Sequence, residues 1–124
     1  MIAIDTSSLV AFLGGASGSD VEAVAMALEQ HQAVLPPVVL TEILSDPKLP
    51  QDVRASLLEL PLLNVSSGFW ERAGLLRSAV LSKRLKARVA DALIAQSCLD
   101  ASVPLVTRDR DFGHFAKAAG LALL

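Results

Sequence analysis

Short runs of apolar residues alternate along this chain with longer amphipathic stretches. Residues 2–4 (Ile-Ala-Ile) read as a short buried strand, with the acid Asp5 directly after it. An apolar helix is expected over residues 8–13, broken by the loop Gly14-Gly15-Ala16-Ser17-Gly18. Ser19 with Glu22 three positions on has the pattern of a capping box, opening a helix that runs to about residue 30. Residues 33–35 form a second apolar run. Pro36-Pro37 then opens a helix, since proline suits the first turn, and Asp46-Pro47 closes it. A short helix over 52–59 and a strand over 62–65 follow. Ser66 or Ser67 stands where it could cap the longest periodic helix, in which Phe69, Ala73, Leu76 and Val80 recur at helical spacing. The basic segment Lys83-Arg84-Leu85-Lys86-Ala87-Arg88 leads into a helix over 91–101. A strand over 104–107, a helix over 111–119 and a terminal strand over 121–124 complete the pattern.

Short buried strands alternating with helices predict an α/β sandwich around a mostly parallel sheet. At 124 residues the chain suits one domain, 1–124, and 52% hydrophobic residues supply a core and exclude overall disorder. No apolar run is long enough for a membrane span, and Met1-Ile2-Ala3-Ile4-Asp5 lacks the basic region of a signal peptide. A single cysteine, Cys98, excludes an internal disulfide and a multi-thiolate metal site, which fits a reducing, cytoplasmic setting. Cys98 itself reads as a small buried hydrophobe. The formal charge of −2 argues against a strongly basic nucleic-acid coat.

The placement of the charges says more than their sum. In open parallel sheets ligands sit beyond the carboxyl ends of strands, near a topological switch point. Asp5 follows the first strand, and Asp109 and Asp111 follow the strand over 104–107. Glu42 lies on the helix after the second strand, and Asp91 in the first turn of the helix before the third. Five carboxylates from four segments could therefore converge. Such a cluster repels itself, so one member protonates or the group binds a cation. All-oxygen donors without Cys or His select Mg²⁺ or Mn²⁺. Setting these five acids aside leaves eight acids against eleven bases, compatible with a phosphate-bearing partner.

Each acid also has a plainer role. Asp5, Asp91 and Asp111 stand near helix starts, where Asp caps free N–H groups. Glu42 shares a polar stripe with Thr41, Ser45 and Asp46, and Asp109 could pair with Arg108 or Arg110. His31 follows a helix end, where a cation suits the dipole, and His114 has no partner at ligand spacing. The glycine-rich loop lacks the Lys-Ser/Thr ending of a phosphate-cradling loop and reads as a flexible connector.

Four segments resemble the PIN domain family, and within it the VapC-type toxins of toxin–antitoxin pairs. Ile2-Ala3-Ile4-Asp5-Thr6-Ser7-Ser8-Leu9-Val10 resembles the family's opening strand and its D-[TS]-S turn. Leu40-Thr41-Glu42-Ile43-Leu44-Ser45 is similar to the helix carrying its Glu, and Val89-Ala90-Asp91-Ala92-Leu93-Ile94-Ala95 to its D-A-L-I-A segment. Leu105-Val106-Thr107-Arg108-Asp109-Arg110-Asp111-Phe112 is similar to its T-x-D-x-D-F ending. The resemblance implies a three-layer α/β/α sandwich and a Mg²⁺- or Mn²⁺-dependent endoribonuclease acting on RNA. It implies a metal site of Asp5, Glu42, Asp91 and Asp109, with Asp111 a further catalytic acid and Ser7 and Thr107 lining the pocket. Family members are often homodimers held inactive by a cognate antitoxin protein whose C-terminal arm lies across the pocket.

Lys86 and Arg88 are expected beside the pocket, where the basic segment could meet RNA phosphates. Two other functions compete. A non-catalytic PIN-fold module that binds RNA or protein would need none of the acids, although all are present. A phosphatase using Asp5 as nucleophile calls for a second Asp two positions on, where this chain has Ser7.

Overall fold

The computed structural model describes residues 1–124. The chain runs β1 (Ile2–Ile4), α1 (Thr6–Leu13), α2 (Ser19–Glu29), β2 (Ala33–Val34), α3 (Pro37–Leu44), α4 (Gln51–Leu58), α5 (Phe69–Ser82), α6 (Val89–Ala101), β3 (Leu105–Val106) and α7 (Phe112–Ala119). The three strands form one parallel sheet in the order β2-β1-β3. Ile2 aligns with Ala33 and Ala3 with Val34 on one side, and Ala3 with Leu105 and Ile4 with Val106 on the other. The strands are two or three residues long and almost wholly buried, so they read as continuous apolar runs with no polar alternation.

The chain leaves the central strand β1 by α1 and α2 to reach β2 on one flank. It returns through α3 to α6 to β3 on the other flank. The carboxyl end of β1 is therefore the point at which the strand order reverses, where an open α/β sheet leaves a crevice. On one side of the molecule α1 packs on α2, and α2 on β2 and β3. Elsewhere α5, α6 and α7 pack on one another, while α3 touches both α1 and α6. The architecture is the three-layer α/β/α sandwich expected of the sequence. The core joins Ile4, Val34 and Val106 from the sheet to Leu9, Val24, Val39, Ile94 and Phe115 from the helices. No helix is long and apolar enough to cross a membrane.

Several expected boundaries move, each for a local reason. Helix α1 starts at Thr6, before residue 8, because Asp5 takes the N-cap position and accepts from the Ser7 N–H. The Ser19/Glu22 capping box does not form; Gly18 is the N-cap of α2, and Ser19 is already helical. Neither Ser66 nor Ser67 caps α5. Gly68 does so in the left-handed region (φ 81°), where a Cβ would stand 2.7 Å from Arg72 Nη1. The strands expected over 62–65 and 121–124 shrink to isolated parallel bridges, Leu62 with Leu35 and Leu123 with Leu105, one at each edge of the sheet. The connector around Gly15 is not free: Arg108 donates to the Ser17 carbonyl at 3.1 Å.

Candidate metal centre

Asp5 is 4% exposed at the end of the central strand, and its backbone N–H still donates to the Val106 carbonyl at 2.9 Å. Three donors converge on a single carboxylate oxygen, Oδ2. They are the Ser7 hydroxyl at 2.6 Å, the Thr107 hydroxyl at 2.8 Å and, more weakly, the Ser7 N–H at 3.4 Å. The capping role considered for Asp5 is real, and it coexists with a carboxylate fixed in one orientation. Three donors on Oδ2 leave the second oxygen, Oδ1, to other partners.

Thr107 also receives the Asp109 N–H at 3.0 Å, which draws the segment after β3 back over Asp5. Asp109 in turn accepts the Asp111 N–H at 2.9 Å through Oδ1, an Asx-type turn leading into α7. Asp109 is thus not an ordinary loop acid paired with a neighbouring arginine. Arg108 points elsewhere, to Asp20.

Asp91 sits in the first turn of α6, yet it does not cap. Its Oδ2 is buried and has no hydrogen-bond partner. A buried, unsatisfied carboxylate oxygen is costly unless something positive meets it. Burial first, then the charges of Asp109 and Asp5, and more weakly Glu42, push the Asp91 carboxyl up to about 6, with Arg88 opposing them. The other three acids of the expected metal set therefore all act on Asp91. Glu42 is exposed on α3, and the Thr6 hydroxyl donates to its Oε1 at 2.7 Å. Thr6 is a site residue that spacing alone did not single out; its position in the D-[TS]-S turn was the available signal.

Asp111 stands apart. It occupies the N-cap position of α7 without a side-chain capping bond, and its Oδ2 lies 3.6 Å from Lys86 Nζ. It is not among the charges that raise Asp91. Lys86 belongs to the turn between α5 and α6, which Arg77 pins by donating to the Ala87 carbonyl at 2.8 Å. The His114 ring meets the Lys86 carbonyl at 2.9 Å, so this histidine serves the turn. Arg84 takes a left-handed conformation there (φ 60°), and Lys83, Arg84, Lys86 and Arg88 are all exposed. Ser7 and Thr107, the expected pocket hydroxyls, both donate to Asp5.

The donor set fits a hard divalent cation: oxygens only, one of them buried and orphaned. As the side chains stand, no group of three or more acids is drawn close enough to ligate a common ion. Cys98 lies behind the centre, where burial and Asp5 push its thiol up to about 12 and leave it inert. An apolar cavity of about 500 Å³, lined by Leu9, Phe12, Leu28 and Leu57, contains none of the candidate acids. A smaller groove of about 300 Å³ is lined by Val10, Leu13, Leu49 and Val53 together with Glu42.

A small parallel sheet between helices, with three acids acting on Asp91 near the point where its strand order reverses, defines an α/β protein with a candidate acidic centre. The sequence matches the PIN domain family over residues 2–118, and the chain belongs to that family. Its fold is similar to a chain of VapBC2 from Rickettsia felis, solved bound to a DNA fragment from its promoter. The TM-score is 0.74 and the identity 22%, over 100% of this chain and 98% of that one. A chain of FitAcB from Neisseria gonorrhoeae superposes with TM-score 0.71 and 21% identity, over 100% and 96%. A chain of VapBC-5 from Mycobacterium tuberculosis, described as a member of the VapBC family of toxin–antitoxin systems, gives 0.69 and 22%, over 98% and 95%. Comparison with curated proteins gives no match.

Proposed function

We propose that this chain is a VapC-type PIN-domain toxin, a Mg²⁺- or Mn²⁺-dependent endoribonuclease. The single observation that carries the reading is the Asp91 carboxylate. Its Oδ2 is buried and unpartnered, and the charges of Asp109, Asp5 and Glu42 raise its pKa near the switch point of the sheet. Asp5, Glu42, Asp91 and Asp109 would hold the cation. Bound there, a divalent cation supplies positive charge at a phosphodiester and makes a water more acidic for in-line attack at phosphorus. Ser7 and Thr107 hold the Asp5 carboxylate still, and Thr6 does the same for Glu42. Arg88 beside Asp91, with Lys86, Lys83 and Arg84 on the neighbouring turn, would receive the RNA backbone. With water as the nucleophile, cleavage leaves a 5′-phosphate.

The likeness to a VapBC chain of a toxin–antitoxin system supports a protein antitoxin as partner, whose arm would lie along the groove that Glu42 helps to line. A cytoplasmic homodimer accords with the same reading. The alternative is a PIN-fold module that binds RNA or protein without cutting, and the absence of a ready-formed ligand group is the observation in its favour. RNA cleavage with Mn²⁺, with chelator, and by Asp91→Asn separates the two. Chelator-sensitive cutting that is lost in the variant and leaves 5′-phosphate ends supports the nuclease, and RNA binding without cutting supports the module.

A further inference from the structure

Arg108 separates Thr107 from Asp109 along the chain yet faces the opposite way. Its guanidinium meets Asp20 through two bonds, Nε to Oδ2 at 2.8 Å and Nη2 to Oδ1 at 3.0 Å. The same Nη2 donates to the Ser17 carbonyl at 3.1 Å. Asp20 Oδ2 also accepts the hydroxyl of Ser8, a fully buried residue of α1, at 2.8 Å. On the inner side, the Arg108 N–H donates to Ser7 Oγ at 3.3 Å, and Ser7 donates to Asp5. The short segment carrying Asp109 is therefore held from both sides, by hydroxyls toward the acids and by a forked ion pair away from them.

Gly18 shows how closely the outer side is packed. Its φ is 143°, and a Cβ there would stand 2.7 Å from Asp20 Oδ1 and 3.1 Å from Arg108 Nη2. Arg72 and Asp100 form a fork of the same kind between α5 and α6, at 3.1 and 2.6 Å, and touch none of the acids. That second fork is a built-in control.

We propose that Asp20 and Arg108 are positioning residues, whose forked ion pair sets where Asp109 stands relative to Asp5 and thereby the cation affinity of the acidic centre. The inference rests on the metal-site reading above. A ligand carboxylate has to be held about 2.1 Å from Mg²⁺, so small displacements of the segment after β3 matter there more than they do for folding. Groups that orient metal ligands typically govern affinity by about 10–100-fold.

The test is calorimetric titration of the full chain with Mn²⁺, for wild type, Asp20→Asn, Arg108→Lys and Asp100→Asn, with melting curves for each. Asp20→Asn keeps the shape of the side chain and its acceptor for Ser8. Asp20→Asn and Arg108→Lys should weaken Mn²⁺ binding by about 10–100-fold, while Asp100→Asn stays within about twofold of wild type. Without metal, exchange of the Asp109 amide should accelerate by about tenfold or more in the first two variants only. Wild-type affinity in Asp20→Asn, or in Arg108→Lys if only that variant stays folded, overturns the positioning role. An equal loss in Asp100→Asn does so too, by reducing the effect to general destabilisation. Wild-type protein that binds no Mn²⁺, or binds it equally after Asp91→Asn, overturns the metal-site reading and this inference with it.

Discussion

Replacing Asp91 by Asn should stabilise the metal-free protein at neutral pH. Burial and three neighbouring acids raise the Asp91 carboxyl from 3.8 to about 6. The folded state thus binds this proton more tightly than the unfolded chain does, and stability falls as pH rises from about 4 to about 6. Above that window the ionised carboxylate costs at most about 3 kcal/mol, at roughly 1.4 kcal/mol per pH unit. Asp91 is only half-buried, so solvent screening reduces the figure to about 1.5 kcal/mol. Its place in the first turn of α6 returns about 0.5 kcal/mol through the helix dipole. Asn removes both effects, for a net gain of about 1 kcal/mol, or about 3–5 °C in Tm for a chain of this size. The assay is thermal melting of wild type and Asp91→Asn in chelator at pH 7.5 and again near pH 4, where the wild-type carboxyl is protonated and the gain should vanish. Mn²⁺ at about a hundredfold excess over Kd should reverse the order, since it adds about 2.7 kcal/mol to the protein that binds it. An Asp91→Asn variant that melts below wild type in chelator at pH 7.5 would refute the reasoning, because the carboxylate would then be holding the fold together.

In single-turnover RNA cleavage, Asp109→Asn should lose at least about a hundredfold in rate, whereas Asp111→Asn, whose carboxylate faces Lys86, should keep measurable cleavage. A dead Asp111→Asn beside an active Asp109→Asn reverses that assignment. Neutralising Lys83 and Arg84 should lower the salt slope of RNA binding by about two and leave the cleavage site unchanged; an unaltered slope returns the turn to solvent. Phe115→Ala should cost about 3–5 kcal/mol in urea unfolding, since the ring is fully buried and packs near Phe112 at 6.0 Å between centroids. A loss under about 1 kcal/mol would mean that the core around α7 collapses to fill the space.

The elements legible in the sequence were those that periodicity and burial decide. The spacing of Phe69, Ala73, Leu76 and Val80 located the buried face of α5, and all four are buried. Three unbroken apolar runs located the strands. The expected edge strands failed where the chain makes only one registered pair at each side. Leu35 is bonded to Pro61 and Leu63, and Leu105 to Ala122 and Leu124, and neither pairing continues. Caps were not all legible from local pattern. Ser19 with Glu22 had the local pattern of a capping box, but Asp20 beside it is claimed by Ser8 and by Arg108, 88 positions away, and this pairing accompanies Gly18 at the helix start.

The candidate acids could be nominated from their positions relative to the strands, but not the hydroxyls that hydrogen-bond to them, because those bonds are long-range. Thr6 reaches Glu42 across 36 positions and Thr107 reaches Asp5 across 102. Arg108 illustrates the limit most clearly. Adjacency in sequence suggested a pair with Asp109, but side chains in an extended segment alternate in direction. The residue between Thr107 and Asp109 must then face away from both, toward whatever the fold has placed on the outer side. That neighbour is Asp20, whose carboxyl the guanidinium holds well below the usual carboxylate range. Asp91, with no such partner, is pushed in the opposite direction. Two aspartates of the same chain thus come to opposite states because one meets a fork of N–H donors, while burial and neighbouring carboxylates outweigh Arg88 at the other. A cation is the partner that the second environment still calls for.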